Sequence, residues 1–360
     1  MMTRETLNPV TPRLVVTGLS TSFATDAGRI QSVADVCFSV APGQTLALVG
    51  ESGSGKSVTS LTLMGLHAKT SQARVEGKAW FVRRDGQRVN LLGISESDRR
   101  ALRGNEMAMI FQEPMTSLNP VLSVGEQIAE SARLHLHMDH AAAIAHAQRM
   151  LELVEIPAAA RRVHEYPHQL SGGMRQRVMI ALAMACSPTL LIADEPTTAL
   201  DVTIQAQILA LMGQLQKETG MSMLFITHNL GVVAQYADAV AVMYAGRVVE
   251  SASVHALFAN PAHPYTRGLL ACLPGIARKL AGPVVAGQRP KLTAIPGQVS
   301  SPLSPPPGCA FAPRCAQRQS VCDVSMPVLA ALSTLSEKGN QRYVRCPVAQ
   351  TTQAHDEAVA

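Results

Sequence analysis

The chain has 360 residues, of which 47% are hydrophobic and 16% charged, a balance typical of globular rather than disordered proteins. Its formal net charge of +5 comes from 31 basic and 26 acidic residues without a long run of like charge, so composition gives no indication of a nucleic-acid partner. No apolar stretch reaches the length of a transmembrane helix, and the first ten residues lack the apolar segment of a secretory signal. We therefore expect a cytosolic protein that acts at a membrane only through partners.

Up to about residue 255, short apolar strands alternate with longer helical segments, which predicts an α/β domain with a largely parallel sheet. Several apolar runs end in polar residues, and ligands collect at the carboxyl ends of parallel strands, so these ends are candidate sites. The predicted strands cover residues 14–16, 37–40, 45–49, 190–193, 223–227, 240–243 and 247–250, the last two forming a hairpin.

Between residues 120 and 186 the strand signal disappears, which predicts an all-α insertion with helices over 124–136, 141–154 and 173–186. After residue 257, prolines recur at short intervals and preclude long regular elements, which predicts a separate, irregular C-terminal module. The predicted organisation is an α/β domain with its helical insertion, a C-terminal module and a flexible tail, over residues 12–257, 258–350 and 351–360.

Residues 50–57, GESGSGKS, match the phosphate-loop pattern G-x-x-x-x-G-K-[ST] between a predicted strand and a predicted helix, the context that this motif requires. Its glycines let consecutive backbone N–H groups turn toward an anion at a helix N-terminus. Lys56 would supply a positive charge to the β- and γ-phosphates, and the Ser57 hydroxyl is a candidate Mg²⁺ ligand. The predicted ATP-binding residues are Gly50, Glu51, Ser52, Gly53, Ser54, Gly55, Lys56, Ser57 and Val58.

The apolar run 190–193 is followed by two carboxylates, Asp194 and Glu195. Taken alone, this pair could be a solvated strand end, but in a chain with a phosphate loop it predicts the second half of a nucleotide site. Asp194 is then a predicted Mg²⁺ ligand, and Glu195 is predicted to polarise the attacking water.

Residues 170–176, LSGGMRQ, resemble the signature motif of ABC transporters, LSGGQ in its usual form, with Met174 at the glutamine position and Gln176 two residues later. The order of phosphate loop, Gln112, signature, acidic pair and His228 is similar to that of ABC transporter ATP-binding subunits. The resemblance implies an ATPase with a P-loop ABC nucleotide-binding domain: a RecA-like core, an antiparallel β subdomain and an α-helical insertion. A small, irregular Cys- and Pro-rich module follows it in this chain.

The same resemblance implies roles for further residues. Gln112 and His228 would be catalytic with Glu195: the glutamine contacts Mg²⁺ and the attacking water, and the histidine lies near the γ-phosphate. Asp201 corresponds to the D-loop. The signature residues implied to bind ATP held by an opposite subunit, so that two chains close around two ATP molecules, are Ser171, Gly172, Gly173 and Gln176. Family members usually stack an aromatic residue on adenine, but Ile30 stands near that place and Phe23 is the nearest aromatic upstream.

Three segments resemble the dipeptide and oligopeptide importers of this family: FQEPMTSLNP at 111–120, YPHQ at 166–169 and NPAHPYT at 260–266. The resemblance implies a peptide importer whose ATPase lies on the cytoplasmic face of the inner membrane. Its implied partners are two transmembrane permeases, a paralogous ATPase subunit in a heterodimer and, indirectly, a periplasmic substrate-binding protein. We expect the permeases to dock on residues 112–125 and the neighbouring helices.

Two alternatives stay open at this point. Importers of nickel, haem-related compounds, glutathione or opines share much of the pattern, so the substrate is not readable from the sequence. A non-transport ABC ATPase acting on nucleic acid or ribosomes usually carries two nucleotide domains or a long coiled-coil insertion, and the sequence has neither.

Four of the seven cysteines, Cys309, Cys315, Cys322 and Cys346, follow the spacing C-x5-C-x6-C-x23-C. A zinc ribbon prefers two-residue gaps within each ligand pair. The resemblance implies a [4Fe–4S] cluster on the four thiolates, while structural zinc and unliganded thiols stay open. We expect such a cluster to stabilise the proline-rich module and the phosphate loop to be independent of it.

Overall fold

The structure, a computed structural model, describes residues 11–112, 117–198, 200–273, 294–332 and 341–350. By its internal contacts the chain divides into two compact units. The first unit comprises residues 1–15, 39–44 and 79–224, and the second comprises residues 16–38, 45–78 and 225–360. Neither unit is continuous in sequence, because the chain passes from one to the other several times.

The described residues form an α/β fold, as the sequence predicts. The strands are β1 (Leu14–Thr25), β2 (Gly28–Val40), β3 (Thr45–Val49), β4 (Arg74–Val82), β5 (Arg88–Asn90), β6 (Met107–Ile110), β7 (Leu190–Asp194), β8 (Ser222–Thr227), β9 (Ala239–Tyr244), β10 (Arg247–Ser253), β11 (Ala330–Leu332) and β12 (Arg342–Val344). The α-helices are α1 (Lys56–Met64), α2 (Glu96–Leu102), α3 (Val124–Leu136), α4 (His140–Leu153), α5 (Ala159–Arg162), α6 (Gly172–Met184), α7 (Val202–Thr219), α8 (Leu230–Tyr236), α9 (Val254–Ala259), α10 (Pro264–Ala271) and α11 (Val321–Val324). Short 3-10 turns cover Lys69–Ser71, Pro167–Gln169 and Ala312–Arg314.

The helical insertion is confirmed in the first unit. The bounds of α3 are those predicted, and α4 and α6 differ from their predicted bounds by one or two residues at each end. Ser123 caps α3, because its hydroxyl accepts a hydrogen bond from the backbone N–H of Glu126 at 3.2 Å. Gly125 packs so closely on Val163 that a Cβ there would meet the Val163 carbonyl, so the first turn of α3 is fixed against its neighbour.

β6 and β7 pair in parallel within the first unit, in register from Met107 opposite Leu190 to Ile110 opposite Ala193. Every residue of both strands is buried, as expected of parallel strands covered on both faces. Since parallel neighbours end at the same edge, the residues that follow β6 and β7 come to lie side by side.

In the second unit, β3 pairs in parallel with β9, from Leu46 opposite Ala239 to Val49 opposite Val242. β10 pairs antiparallel with β9, β12 with β10, and β11 with β12. β11 and β12 lie in the region for which the sequence predicts no strand. Each is three residues long, which is consistent with the proline argument against long regular elements.

One hydrophobic core in the second unit contains residues from both sides of position 257. Val49 and Val242, from β3 and β9, belong to the same buried cluster as Tyr265 and Phe311. The ring of Phe311 stands edge-on to Tyr244, with 5.2 Å between the centroids, and lies 5.5 Å from the ring of Tyr265. The C-terminal region therefore contributes large aromatic side chains to a core that the strands of the α/β domain share.

A buried ion pair fastens β12 to the preceding part of the second unit. Glu250 is fully buried, and its carboxylate accepts hydrogen bonds from Arg342 at 2.6 Å and from the backbone N–H groups of Ala262 at 2.9 Å and His263 at 2.8 Å. Arg342 also donates to the carbonyl oxygen of Asn260. These donors satisfy a carboxylate whose burial would otherwise be costly.

Replacing Glu250 with alanine should lower the free energy of unfolding by about 3–5 kcal/mol, because it leaves a buried guanidinium and two buried N–H groups without their acceptor. Urea unfolding of the purified chain measures this loss. The matched control is Asp323→Ala, which removes an ion pair with Arg318 that is about half exposed on both sides and should cost less than about 1 kcal/mol. Equal costs for the two variants would show that the buried pair does not fasten β12.

His263 is a second buried polar group of this region. Its Nδ1 accepts a hydrogen bond from the backbone N–H of Tyr265 at 3.1 Å and so caps α10. Burial lowers the pKa of His263 to about 3, the charge of Arg267 acts in the same direction, and a hydrogen bond with the backbone of Arg345 opposes both. The imidazole is therefore neutral in the folded protein at any pH well above this value.

Between pH 6.5 and about 3, the unfolded chain binds a proton at His263 that the folded chain does not bind, so stability falls as the pH is lowered through this window. From pH 6.5 to 4.5 the wild-type protein should lose about 2 kcal/mol more than His263→Asn, whose amide oxygen can accept the same hydrogen bond without titrating. Urea unfolding at a series of pH values measures the two slopes. Equal slopes for wild type and His263→Asn would contradict the prediction.

Candidate functional site

The predicted phosphate loop connects β3 to α1 in the second unit. β3 is buried along its whole length, and the loop begins directly at its end. Gly55, the residue before α1, has a φ of 98°, and a Cβ at this position would lie 2.6 Å from the carbonyl oxygen of Ser32. Both the left-handed backbone and the close approach require glycine, so the entry into α1 depends on this residue.

Lys56 is the first residue of α1, and its ammonium group folds back over the loop. Nζ donates hydrogen bonds to the carbonyl oxygens of Gly50 at 2.9 Å and Glu51 at 3.0 Å, and it lies 3.4 Å from the hydroxyl oxygen of Ser54. Ser57, the next residue along α1, is half-buried. A positive charge enclosed by the loop at the N-terminus of a nine-residue helix is suited to binding a phosphate group.

The acidic pair lies in the first unit. Asp194 is the buried last residue of β7, and Glu195 follows it with a φ of 47°. The Oε2 atom of Glu195 accepts hydrogen bonds from the Thr198 hydroxyl at 2.9 Å and from Nε2 of Gln112 at 3.4 Å. Since Gln112 follows β6, the parallel pairing of β6 with β7 brings the predicted glutamine to the predicted catalytic carboxylate. Thr198 was missed by the sequence reasoning. Its signal is a hydroxyl residue three positions after Glu195, in a turn closed by its own backbone N–H.

The signature residues lie at the N-terminus of α6 in the first unit. Ser171 caps this helix by accepting a hydrogen bond from the backbone N–H of Met174 at 3.3 Å, and both Ser171 and Gly172 are exposed. Gln176 is only 1% exposed, and neither polar atom of its side chain has a hydrogen-bond partner among the described residues. The structure therefore does not bring Gln176 to the exposed helix end with Ser171. Instead, Gln176 lies about one turn inside the helix as a buried polar side chain.

Asp201 and His228 each precede a helix. Asp201 caps α7, since its carboxylate accepts a hydrogen bond from the backbone N–H of Ile204 at 2.9 Å. His228 follows β8 in the second unit and is exposed, and Asn229 beside it caps α8. Ala199, two residues before Asp201, lies outside the described residues.

Phe23, the aromatic residue nearest in sequence to the expected adenine position, already packs against another ring. The ring of Phe23 stands edge-on to His67, with 5.2 Å between the centroids. His67 in turn lies 2.7 Å from the hydroxyl of Thr62, and burial lowers its pKa. Ile30, in β2, is half-buried.

The four C-terminal cysteines lie near one another in the second unit. The backbone N–H of Cys309 donates to the carbonyl oxygen of Cys322 at 2.7 Å. Burial raises the pKa of the Cys309, Cys315 and Cys346 thiols, and the charge of neighbouring cysteines of the same group raises each of them further. No group of three or more His, Cys, Asp or Glu side chains in the described part of the chain is placed to hold one metal ion.

None of the helices in the described ranges combines the length and hydropathy that crossing a bilayer requires.

The ABC transporter family matches residues 33–198, and the family described as the oligopeptide/dipeptide transporter C-terminal region matches residues 249–322.

Two relatives illustrate the similarity in sequence. A Brucella melitensis protein that carries the name of a peptide import ATP-binding protein is 53% identical over 322 residues, which cover 89% of this chain and 94% of that protein. The glutathione import ATP-binding protein GsiA of Pectobacterium atrosepticum is 58% identical over 271 residues, which cover 75% of this chain and 44% of that protein.

Solved structures extend the similarity to the fold. The dimeric structure of an ATP-binding cassette in a post-hydrolysis state, bound to ADP and Pi, matches with a TM-score of 0.58 and 24% identity, over 67% of this chain and 98% of that one. The cbiO1 protein of Clostridium perfringens, part of an ABC transporter complex, matches with a TM-score of 0.56 and 25% identity, over 69% of this chain and 91% of that one. The resemblance carried by the sequence motifs is thus confirmed: the chain belongs to the ABC transporter family, in the group with the oligopeptide/dipeptide transporter C-terminal region, and it is an ATP-binding ATPase subunit.

Proposed function

We propose that this chain powers the import of di- or oligopeptides by binding and hydrolysing ATP in a membrane transporter. The observation that carries the proposal is the extent of the 53% identity, which covers 94% of a protein named for peptide import. The C-terminal region supports the same substrate class, because its family is described by oligopeptide and dipeptide transport.

We propose that Glu195 acts as the general base of ATP hydrolysis. Two hydrogen bonds to the same carboxylate oxygen, from Thr198 and Gln112, hold its side chain in one orientation. An oriented carboxylate can accept a proton from water as it attacks the γ-phosphate. Lys56 binds the phosphates by charge, and His228 acts as the switch residue near the γ-phosphate.

Mg²⁺ would be held by Ser57, Gln112 and Asp194, whose hydroxyl, amide and carboxylate oxygens are the ligands that this ion prefers. Bound there, it would neutralise charge that develops on the phosphates during hydrolysis. Asp194 supports this assignment because it is a carboxylate buried at a strand end, where a cation is the usual counter-charge.

The assembly we propose contains two ATPase subunits, since the chain carries one copy of each motif. The exposed N-terminus of α6, with Ser171, Gly172 and Gly173, is suited to the γ-phosphate of ATP on the other subunit, and Asp201 lies in the D-loop beside it. The other subunit is a paralogous ATPase. Two permeases dock on residues 112–125, of which 113–116 lie outside the described residues and Val121 is 75% exposed. A periplasmic binding protein delivers the peptide, and the ATPases face the cytoplasm.

The test is a complex of this chain with two permeases and a second ATPase, reconstituted in vesicles with labelled peptides. Glu195→Gln should retain ATP binding while ATP turnover falls by about 10²-fold or more, the scale of a lost general base, and peptide uptake should stop. The control Glu218→Gln, at an exposed position on α7, should leave turnover unchanged. Near-normal hydrolysis by Glu195→Gln would exclude it as the base. ATP-driven uptake of nickel or glutathione without peptide uptake would contradict the substrate class.

We further propose that Cys309, Cys315, Cys322 and Cys346 hold a [4Fe–4S] cluster. Four partly or fully buried thiols within electrostatic reach supply the donor set that such clusters use. When bound, the cluster would cross-link the turn at residues 309–315 to α11 and the end of β12.

Protein purified without oxygen should contain iron and acid-labile sulfide, and Cys315→Ser should lose both, because one of four ligands is missing. Limited proteolysis should then cut the variant beyond residue 290 faster than the wild type. Cys272→Ser, at a half-buried cysteine of the same region outside the group, should keep the iron and the protease resistance. Stoichiometric zinc without iron, or a metal-free wild-type protein, would refute the cluster.

A further inference from the structure

An ion pair between residues 263 positions apart in sequence links the C-terminal region to the phosphate loop. Nη1 of Arg314 lies 2.9 Å from Oε2 of Glu51, and Nη2 lies 3.2 Å from Oε1. In this bidentate geometry, two N–H groups of the guanidinium bind the two oxygens of the carboxylate, which fixes the orientation of the pair. The Arg314 side chain is 6% exposed and that of Glu51 is 30% exposed, so the pair is shielded from solvent on the arginine side.

Arg314 is itself held in place by several contacts. Its Nε donates to the carbonyl oxygen of Pro296 at 2.9 Å, and Nη2 lies 3.4 Å from that of Ile295. The guanidinium lies over the rings of Tyr244 and Phe311, 5.8 Å and 6.0 Å from their centroids. The hydrogen bond with Glu51 raises the pKa of Arg314. These contacts hold the guanidinium in one place, whereas a surface charge without them would be mobile.

Glu51 is held at its backbone as well as at its side chain. Its N–H donates to the hydroxyl oxygen of Tyr265 at 2.9 Å, and its carbonyl oxygen accepts from Nζ of Lys56 at 3.0 Å. One loop residue therefore connects the C-terminal region, through Tyr265 and Arg314, to the lysine predicted to bind the phosphates. A shift of Glu51 would move an acceptor of Lys56.

The charge of Glu51 gives a second reason for the contact. A carboxylate within a loop that binds a polyanion would repel the phosphates, and a fixed guanidinium neutralises it. Nζ of Lys56 donates hydrogen bonds to the backbone carbonyl oxygens of Gly50 and Glu51, and the proposed phosphate site assigns its charge to the nucleotide.

We propose that Arg314 is a positioning residue for ATP binding: it neutralises Glu51 and holds the phosphate loop in the shape that receives the nucleotide. The proposal rests on the assignment of residues 50–57 as the ATP phosphate loop. It also replaces the expectation that the loop is independent of the C-terminal region, since the 3-10 turn that carries Arg314 lies between Cys309 and Cys315.

The test measures the Kd for a fluorescent ATP analogue, kcat and KM, and hydrogen exchange of residues 50–58. Arg314→Gln should raise Kd and KM by about 10-fold, the usual effect of losing a charge-assisted hydrogen bond, and change kcat little, because Arg314 does not touch the reacting atoms. Exchange in the loop should accelerate. Arg314→Lys should give a smaller effect, since an ammonium keeps the charge without the bidentate geometry. Arg318→Ala, which breaks an exposed ion pair of the same region, should match the wild type in every readout.

Glu51→Gln removes the pair from the loop side without altering the C-terminal region, so the test holds even if Arg314→Gln folds poorly. The double variant should bind ATP no more weakly than the worse single variant, because both substitutions remove the same interaction. Strictly additive effects, or an unchanged Kd in Arg314→Gln, would overturn the positioning role of Arg314. Lys56→Ala separates this failure from that of the proposed site. If Lys56→Ala abolishes ATP binding while Arg314→Gln has no effect, the phosphate site is supported and the positioning role of Arg314 is refuted. If Lys56→Ala binds ATP normally, both the loop assignment and the positioning role are refuted.

Discussion

The complete burial of the parallel strands β3, β6 and β7 is the constraint on which the rest of the structure depends. Backbone groups inside such strands are satisfied by neighbouring strands, so polar side chains can stand only where the strands end. The phosphate loop starts where β3 ends, and Gln112 and Glu195 stand after β6 and β7. The parallel register then determines which polar residues meet, as Gln112 and Glu195 do.

The C-terminal region has few large apolar residues of its own and is stabilised by packing against the strands of the second unit. Its Tyr265 and Phe311 side chains lie in the core that β3 and β9 share. Glu250 supplies the buried acceptor for Arg342, so β12 is attached to β10 by charge as well as by backbone hydrogen bonds. The described part of the region is therefore better regarded as an integral part of the second unit than as an appended tail.

The parts of the structure that the sequence predicts are those with a local signal. The helix at 124–136 has its predicted bounds, because apolar periodicity and a serine cap coincide there. The phosphate loop and the acidic pair are contiguous motifs, and their strand context is equally local. Membership in the ABC family was predicted because several such motifs follow one another in order.

The parts that the sequence does not predict depend on distant partners. Nothing near Arg314 indicates Glu51, which lies 263 residues away, and three-residue strands such as β11 and β12 are too short for a periodic pattern. The burial of Gln176 follows from the packing of α6. Its assignment to the signature came from the resemblance, so its contact with ATP on an opposite subunit stays a prediction. The pairing of Phe23 with His67 likewise brings together residues that no motif connects.

Glu195 has a φ of 47°, a left-handed conformation that costs a residue with a side chain about 1–3 kcal/mol and glycine almost nothing. With Glu195 as the proposed general base, stability and chemistry are in conflict at this position. A more stable fold would favour glycine or asparagine here, and the proposed need for a carboxylate is what would keep glutamate. A lineage released from hydrolysing ATP should lose this residue early, and the chain that loses it should become sturdier as it becomes inactive.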